Sequence, residues 1–226
     1  MRKKTAVSWS GGKDSCFALH SLLEQGFEIS ALISMVSGEH RRNHVHGIPF
    51  EPLKLQAAAL GLPIRLVESF GDHEESFKKG LLRLKKDFDV EAVAFGTLYV
   101  EADRRWNEKM AAAAGLEPLF PLWGPKARAG ELLREWIALG YRSTVCRASE
   151  KDFDRTWAGR SLDSSFVESV QQLNVCPMGE SGEYHTFVTD GPIFTKCVEI
   201  EKAETVLNSG LWSLDIQKCR LIKKDS

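Results

Sequence analysis

A short apolar run, Ala6-Val7-Ser8-Trp9, leads directly into Ser10-Gly11-Gly12-Lys13-Asp14-Ser15, and residues 14–25 continue with Phe17, Leu19, Leu22 and Leu23 on or near one helical face. This strand, glycine turn and helix constrain the fold more than any other feature of the chain. A helix leaves its first N–H groups unpaired, and a tight turn before it aims them at whatever lies above the strand. Glycines let the backbone approach an anion closely. Lys13 adds a positive charge, and Ser10 and Ser15 add hydroxyl donors. The loop is therefore expected to hold a phosphate at the end of a first strand. Its spacing excludes the Walker loop, which places four residues between its glycines before the lysine.

The rest of the chain is read around that loop. Strand and helix patterns alternate: strand 5–9, helix 14–25 stopped by Gly26, strand 28–36, helix 50–60 ending at Gly61, strand 64–67 and helix 74–87. A short strand at 92–95 then ends at Gly96, followed by helices 102–114 and 127–139, closed by Gly115 and Gly140, and a strand at 141–146. Such alternation predicts a Rossmann-like α/β domain over residues 1–147, a parallel sheet with helices on both faces. Ligands of these sheets sit at the carboxyl ends of strands, near the point where strand order reverses. The pattern changes after residue 148: a polar stretch at 150–157, a helix at 165–173, and strand-like runs at 195–200 and 211–221. Residues 148–226 are expected to form a smaller α+β appendage on the substrate side.

A second polar cluster is Gly179-Glu180-Ser181-Gly182-Glu183-Tyr184-His185-Thr186-Phe187. Two glycines, two carboxylates, a histidine and a threonine suit a core poorly. Glu183 and His185 are chemically able to move protons or, through the carboxylate, to hold Mg²⁺. The residues alone leave a second reading equally open: a turn with Tyr184 and Phe187 packed inward and the charges solvated.

Composition narrows the function. Hydrophobic residues at 43% suffice for a proper core, and a net charge of -1 gives no polybasic signature, so a nucleic-acid partner is not expected. Cys16, Cys146, Cys176, Cys197 and Cys219 are scattered and odd in number, which favours reduced thiols in a cytoplasmic protein over a disulfide scaffold. No stretch approaches a membrane span, so no membrane partner is expected.

The SGGKDS loop resembles the PP-loop of ATP pyrophosphatases, which split ATP into AMP and pyrophosphate. Taken with the later GExGEYHTFVxDGP segment, the chain is similar to the diphthine–ammonia ligase family of PP-loop enzymes, whose domain is of the adenine nucleotide alpha hydrolase-like (HUP) type. Further matching pieces are Met35-Val36-Ser37, His46-Gly47-Ile48-Pro49, Gln56-Ala57, residues 59–63, residues 92–96 and Pro121-Leu122-Trp123, in order along nearly the whole chain. One departure is that Cys176 is followed by Pro177-Met178, where related sequences commonly place the cysteine directly before Gly-Glu.

The resemblance implies an ATP-dependent ligase. A carboxylate attacks the α-phosphorus, and ammonia then displaces AMP from the acyl-adenylate. It implies ATP bound by Ser10, Gly11, Gly12, Lys13, Asp14, Ser15, Met35 and Gly96, with Mg²⁺. Lys13, Asp14, Glu183 and His185 are the implied catalytic set, and His46, Glu180, Gly182, Glu183 and Thr186 the substrate-binding set. The implied partners are ammonia and the diphthine of translation elongation factor 2, and a homodimer is compatible with the chain. Two alternatives stay open: a PP-loop pyrophosphatase with another acceptor, such as a small-metabolite carboxylate or a tRNA base, and a nucleotide-binding regulator. Neither a CxxC pair nor a positive charge supports the tRNA reading.

Three lesser candidates complete the reading. His40, His44 and His46 resemble metal ligands only weakly, since no cysteine pair or HExxH helix accompanies them, and no metal site is assigned. Arg104, Arg105 and Lys109 follow Gly96-Thr97 and either face a substrate anion or form a solvated helix face. Trp123 is expected in the core, as is Cys16.

Overall fold

The computed structural model describes residues 3–224. Five short apolar strands form a sheet: β1 (Lys4–Ser8), β2 (Glu28–Ser37), β3 (Ile64–Ser69), β4 (Ala92–Ala94) and β5 (Glu117–Leu119). Their order is β3-β2-β1-β4-β5, and every pairing is parallel. Parallel neighbours need long crossovers, and four helices supply them: α1 (Lys13–Glu24), α2 (Phe50–Leu60), α3 (His73–Phe88) and α4 (Glu101–Ala113). Side chains alternate across the sheet. Val7, Leu32 and Ala94 pack into one apolar cluster with α1 and α2, while Ala6, Ala31, Ile33 and Val93 pack into another with α3 and α4. Helices thus cover both faces, as the alternation predicts.

Strand order reverses beside β1. The chain runs outward from β1 through β2 to β3, then returns to the other side of β1 for β4 and β5. A crevice therefore opens over the carboxyl ends of β1 and β4, the ligand position of such sheets.

The remaining elements are α5 (Ala129–Ala138), β6 (Arg142–Ser149), α6 (Ser164–Gln171), β7 (Tyr184–Asp190), β8 (Lys196–Asn208) and β9 (Leu211–Lys223), with single 3-10 turns at Lys126–Arg128 and Arg155–Trp157. The four strands form an antiparallel sheet in the order β7-β6-β9-β8. This corrects one expectation. The strand at 141–146 forms, but it joins the second sheet and not the parallel one. Pro118 lies within the edge strand β5 and has no N–H to donate, and Pro121 follows, so the parallel sheet ends there. The expected division after residue 147 falls inside β6. The tail strands are also longer than expected, because the solvated half of β8 carries no apolar signal and is held by pairing with β9. Their hairpin closes on Ser209-Gly210, both at positive φ (51° and 79°), the geometry of a tight two-residue turn.

One apolar cluster joins the two sheets through α1. Phe17 packs on Trp136 of α5, with ring centroids 5.8 Å apart, and Trp136 stacks on Tyr141 at 4.0 Å. His20 Nδ1 shares a hydrogen bond with the Tyr141 hydroxyl at 2.8 Å. The start of α1 is consequently wedged between the crevice and the second sheet. Among the described residues no helix is long and apolar enough to cross a membrane.

Candidate active site

The glycine loop is built by contacts from three directions. Gly11 adopts φ +85°, open to glycine at little cost. Its carbonyl accepts from Gln56 Nε2 (2.8 Å) and from Val188 N (3.0 Å). Gln56, buried on α2, also donates to Val188 O (2.7 Å) and accepts from Trp9 Nε1 (3.0 Å). One amide thus ties β1, α2, the loop and β7 together. Lys13 N donates to Thr186 Oγ1 at 2.9 Å. Ser15 Oγ donates to Gly12 O (3.1 Å) and lies 3.1 Å from Ser10 Oγ, while Gly12 N donates to Ser10 Oγ at 3.3 Å. The N-cap of α1 is Gly12, which makes no side-chain cap bond; with Gly12 N and Lys13 N taken by Ser10 Oγ and Thr186 Oγ1, the first-turn amides left for the crevice are those of Asp14 and Ser15.

Gly96, just past β4, completes the cradle. A Cβ there would lie 2.6 Å from the Asp14 carbonyl and 2.8 Å from Ser15 N. These are backbone atoms that cannot give way. The crevice forms a cavity of about 430 Å³ whose lining mixes polar residues, Ser10, Asp14, Ser15, Thr97 and Glu180 among them, with the apolar Met35, Phe77, Phe95 and Trp106.

Charge around the cavity is unevenly placed: the carboxylates of Asp14 and Glu180 line it, whereas Lys13 and His185 lie behind its wall. Lys13 is 1% exposed, its Nζ 3.1 Å from Asp14 Oδ2 and 4.8 Å from the centre of the Tyr184 ring. Burial raises the Asp14 carboxyl above its ordinary value of 3.8 against the pull of Lys13, and Asp14 Oδ1 has no partner among the described residues. Glu180 Oε1 accepts from Leu98 N at 2.9 Å, and burial, helped by Asp14, pushes its carboxyl up to about 7.

That shift has a pH signature. Between its ordinary 4.5 and about 7, folded Glu180 keeps a proton that the unfolded chain releases. Stability contributed at this site therefore falls as pH rises through that window and levels off above it. Glu180→Gln should remove this falling contribution, leaving that of Asp14, which has the same sign, and those of His46 and His185, whose values below their ordinary 6.5 make stability rise with pH. Urea midpoints of both proteins between pH 5 and 8 measure this, and an unchanged slope contradicts it.

His46 and His185 form a neutral pair, ring centroids 4.8 Å apart. His46 Nδ1 donates to Thr186 O (3.0 Å), which leaves the lone pair of the neutral ring on Nε2. Burial lowers the His46 pKa to about 4, with Lys13 and Arg147 adding to the effect. Burial likewise holds His185 well below its ordinary value, with His46, Lys13 and Arg147 pushing the same way. Neither ring carries charge at neutral pH.

Several sequence candidates lie elsewhere. Glu183 does not line the cavity. Its two oxygens accept from Cys176 N (2.8 Å) and Ser181 N (2.9 Å), so it fastens the 176–183 loop that presents Glu180. Thr186 is fully buried and spends its hydroxyl and carbonyl on Lys13 and His46. Gly182, at φ +87°, is an exposed turn. Cys176 is buried, its Sγ accepting from the Tyr99 hydroxyl at 3.0 Å, and Cys16 lies in the core. No group of three or more metal-ligating side chains occurs among the described residues. His44 Nε2 instead meets Ser69 Oγ, which also meets His73 Nδ1, each at 2.9 Å. Arg104 pairs with Glu108 and Lys109 with Glu74, and Arg105 is exposed. Trp123 is only half-buried, under the Arg104 guanidinium at 4.7 Å, a correction to its expected place in the core. Gln56, quoted in the sequence only as part of a matching piece, is the residue to which the motif reading gave no role. A lone buried amide signals its use only when its partners are known.

The chain is similar to known proteins over most of its length. Residues 3–118 match the diphthamide synthase N-terminal domain, and residues 128–222 match the diphthamide synthase C-terminal domain. A diphthine–ammonia ligase of Danio rerio is 28% identical over 226 residues, 88% of this chain and 87% of the relative. One of Homo sapiens is 25% identical over 231 residues, 91% of this chain and 86% of the relative. Among solved structures, a predicted subunit of tRNA methyltransferase from Methanocaldococcus jannaschii aligns with a TM-score of 0.45 at 17% identity, over 84% of this chain and 98% of that one.

Proposed function

Because this chain belongs to the diphthamide synthase family, whose reaction class is ATP-dependent amide formation, we propose that it joins ammonia to the carboxylate of diphthine on translation elongation factor 2, in the cytosol. The observation that carries this reading is the glycine loop with its buried Lys13, closed by Thr186 over the reversal point of the sheet. The triphosphate lies along the open amides of α1, with Lys13 facing the departing pyrophosphate. The base packs against the apolar Met35 and Phe95 of the cavity lining.

An acceptor carboxylate oxygen attacks the α-phosphorus, and the bond to pyrophosphate breaks. Ammonia then attacks the acyl carbon, the bond to AMP breaks, and one proton is lost as the amide forms. Fixed donors do most of this work, by positioning the reactants and neutralising the leaving group. Glu180, ionised above about pH 7, is placed to draw ammonium into the cavity and take its proton. The residues present also fit Mg²⁺: Asp14 Oδ1 is a free carboxylate oxygen, and this ion is commonly held by one or two carboxylates plus substrate phosphates. When bound, the ion would spread the triphosphate charge.

Product analysis tests the reading. Purified protein, given ATP, diphthine-bearing acceptor and ammonium, should release AMP and pyrophosphate in step with amide. ADP and phosphate would sink it. Glutamine should not replace ammonium, since both cysteines nearest the question, Cys16 and Cys176, are buried and hydrogen-bonded or packed in the core.

A further inference from the structure

We propose that Arg147, which lies outside the nucleotide cavity, is a positioning residue for this reaction, holding the 38–49 segment so that His46 forms a fixed wall against the glycine loop. The proposal rests on the nucleotide site described above, and its contacts form one continuous chain.

The chain starts at an irregularity in β6. Val145 pairs with Thr186 and Arg147 with His185, so Cys146 is an extra residue in the strand. A bulge of this kind re-aims the side chains beside it. Arg147 Nη1 donates to His44 O (3.1 Å) and Val45 O (2.5 Å). Cys146 Sγ lies 3.5 Å from His46 O, its acceptor. Gly47, at φ +69°, has the guanidinium flat against it: a Cβ there would sit 2.5–2.7 Å from three of its atoms. Two neighbouring residues of β6 therefore grip four successive residues of the segment. Asn43 grips it from within, its Oδ1 accepting from Val45 N (3.1 Å) and His46 N (2.9 Å).

The far end of the grip is the His46 ring. Besides its bond to Thr186 O, it packs on Gly12 so closely that a Cβ on Gly12 would lie 2.3 Å from Cε1. His46 also separates two spaces. It lines the nucleotide cavity on one side and, on the other, a cavity of about 430 Å³ bounded by Arg42, Gly47, Arg147 and Asp215. Arg42 pairs with Asp215 at 2.6 Å, whereas Arg147 has no carboxylate partner among the described residues. A half-buried guanidinium with both carbonyl bonds leaving from Nη1 and a buried Nε without a partner among the described residues costs desolvation without an ion pair in return. What it supplies is one Nη1 group that fixes two successive carbonyls, and a planar guanidinium packed flat on Gly47.

The test uses the full chain with Arg147→Ala, Arg147→Lys, His46→Ala and the double variant. Arg147→Ala should lower kcat by about tenfold or more, since misplacing a wall of the site costs orientation. Arg147→Lys, with a donor but no planar group to pack on Gly47, should recover part of the loss. The double variant should be no worse than His46→Ala alone, because both changes break one chain of contacts. Hydrogen exchange at the Val45 and His46 amides should rise in Arg147→Ala, a readout that needs no turnover. Unchanged kcat with unchanged exchange, or losses that multiply in the double variant, would overturn the proposal. A wild-type protein that makes no AMP would instead refute the ligase reading, and the exchange measurement would still decide the role of Arg147.

Discussion

Lys13→Ala is expected to cut AMP and pyrophosphate formation by about 10²-fold or more, because in the proposed mechanism it removes a buried cation that neutralises the leaving group. The fold should survive. Asp14 loses its partner, but its carboxyl is already raised by burial and takes up a proton in place of the lost ion pair. Lys13→Arg should not rescue activity, since a side chain 1% exposed under the Tyr184 ring leaves no room for a guanidinium. Turnover is read by product analysis and folding by the melting temperature. A variant that keeps wild-type turnover would remove Lys13 from the mechanism.

The largest loss of stability is expected from Gln56→Leu. The change strips a donor from Gly11 O and Val188 O and leaves Trp9 Nε1 without its acceptor, all inside the protein. Buried groups left unpaired cost about 1–3 kcal/mol each, so the total is roughly 2–5 kcal/mol. For a chain of this size that lowers the melting temperature by roughly 5–15 °C. The KM for ATP should rise as well, because the same amide fixes the glycine loop. Gln56→Glu keeps the acceptor for Trp9 but sets a buried carboxyl against two carbonyl oxygens, so it must keep a proton to fold and its melting temperature should drop as pH rises. A Gln56→Leu protein as stable as wild type would show that the loop is held by its other contacts.

Parts of this architecture are legible in the sequence because they rest on local rules. The glycine loop declares itself through strand, turn and helix in consecutive residues, and β1 to β4 follow from apolar runs stopped by glycines. What escaped depends on partners far along the chain. An apolar run at 141–146 reads the same in either sheet, and only the proline-closed edge at β5 decides. Glu180 and Glu183 stand three residues apart in one motif. Which carboxylate enters the cavity is set by the N–H groups of Leu98 on one side and of Cys176 and Ser181 on the other. Periodicity carries no information about such bonds.

The bond from Lys13 N to Thr186 Oγ1 joins residues 173 positions apart. On a ribosome, the glycine loop emerges early and waits for β7 to be made. Domains fold as the chain is synthesised, and contacts of such long separation close late. A chain cut short before β7 therefore holds the glycine loop without the bond that fixes the first amide of α1.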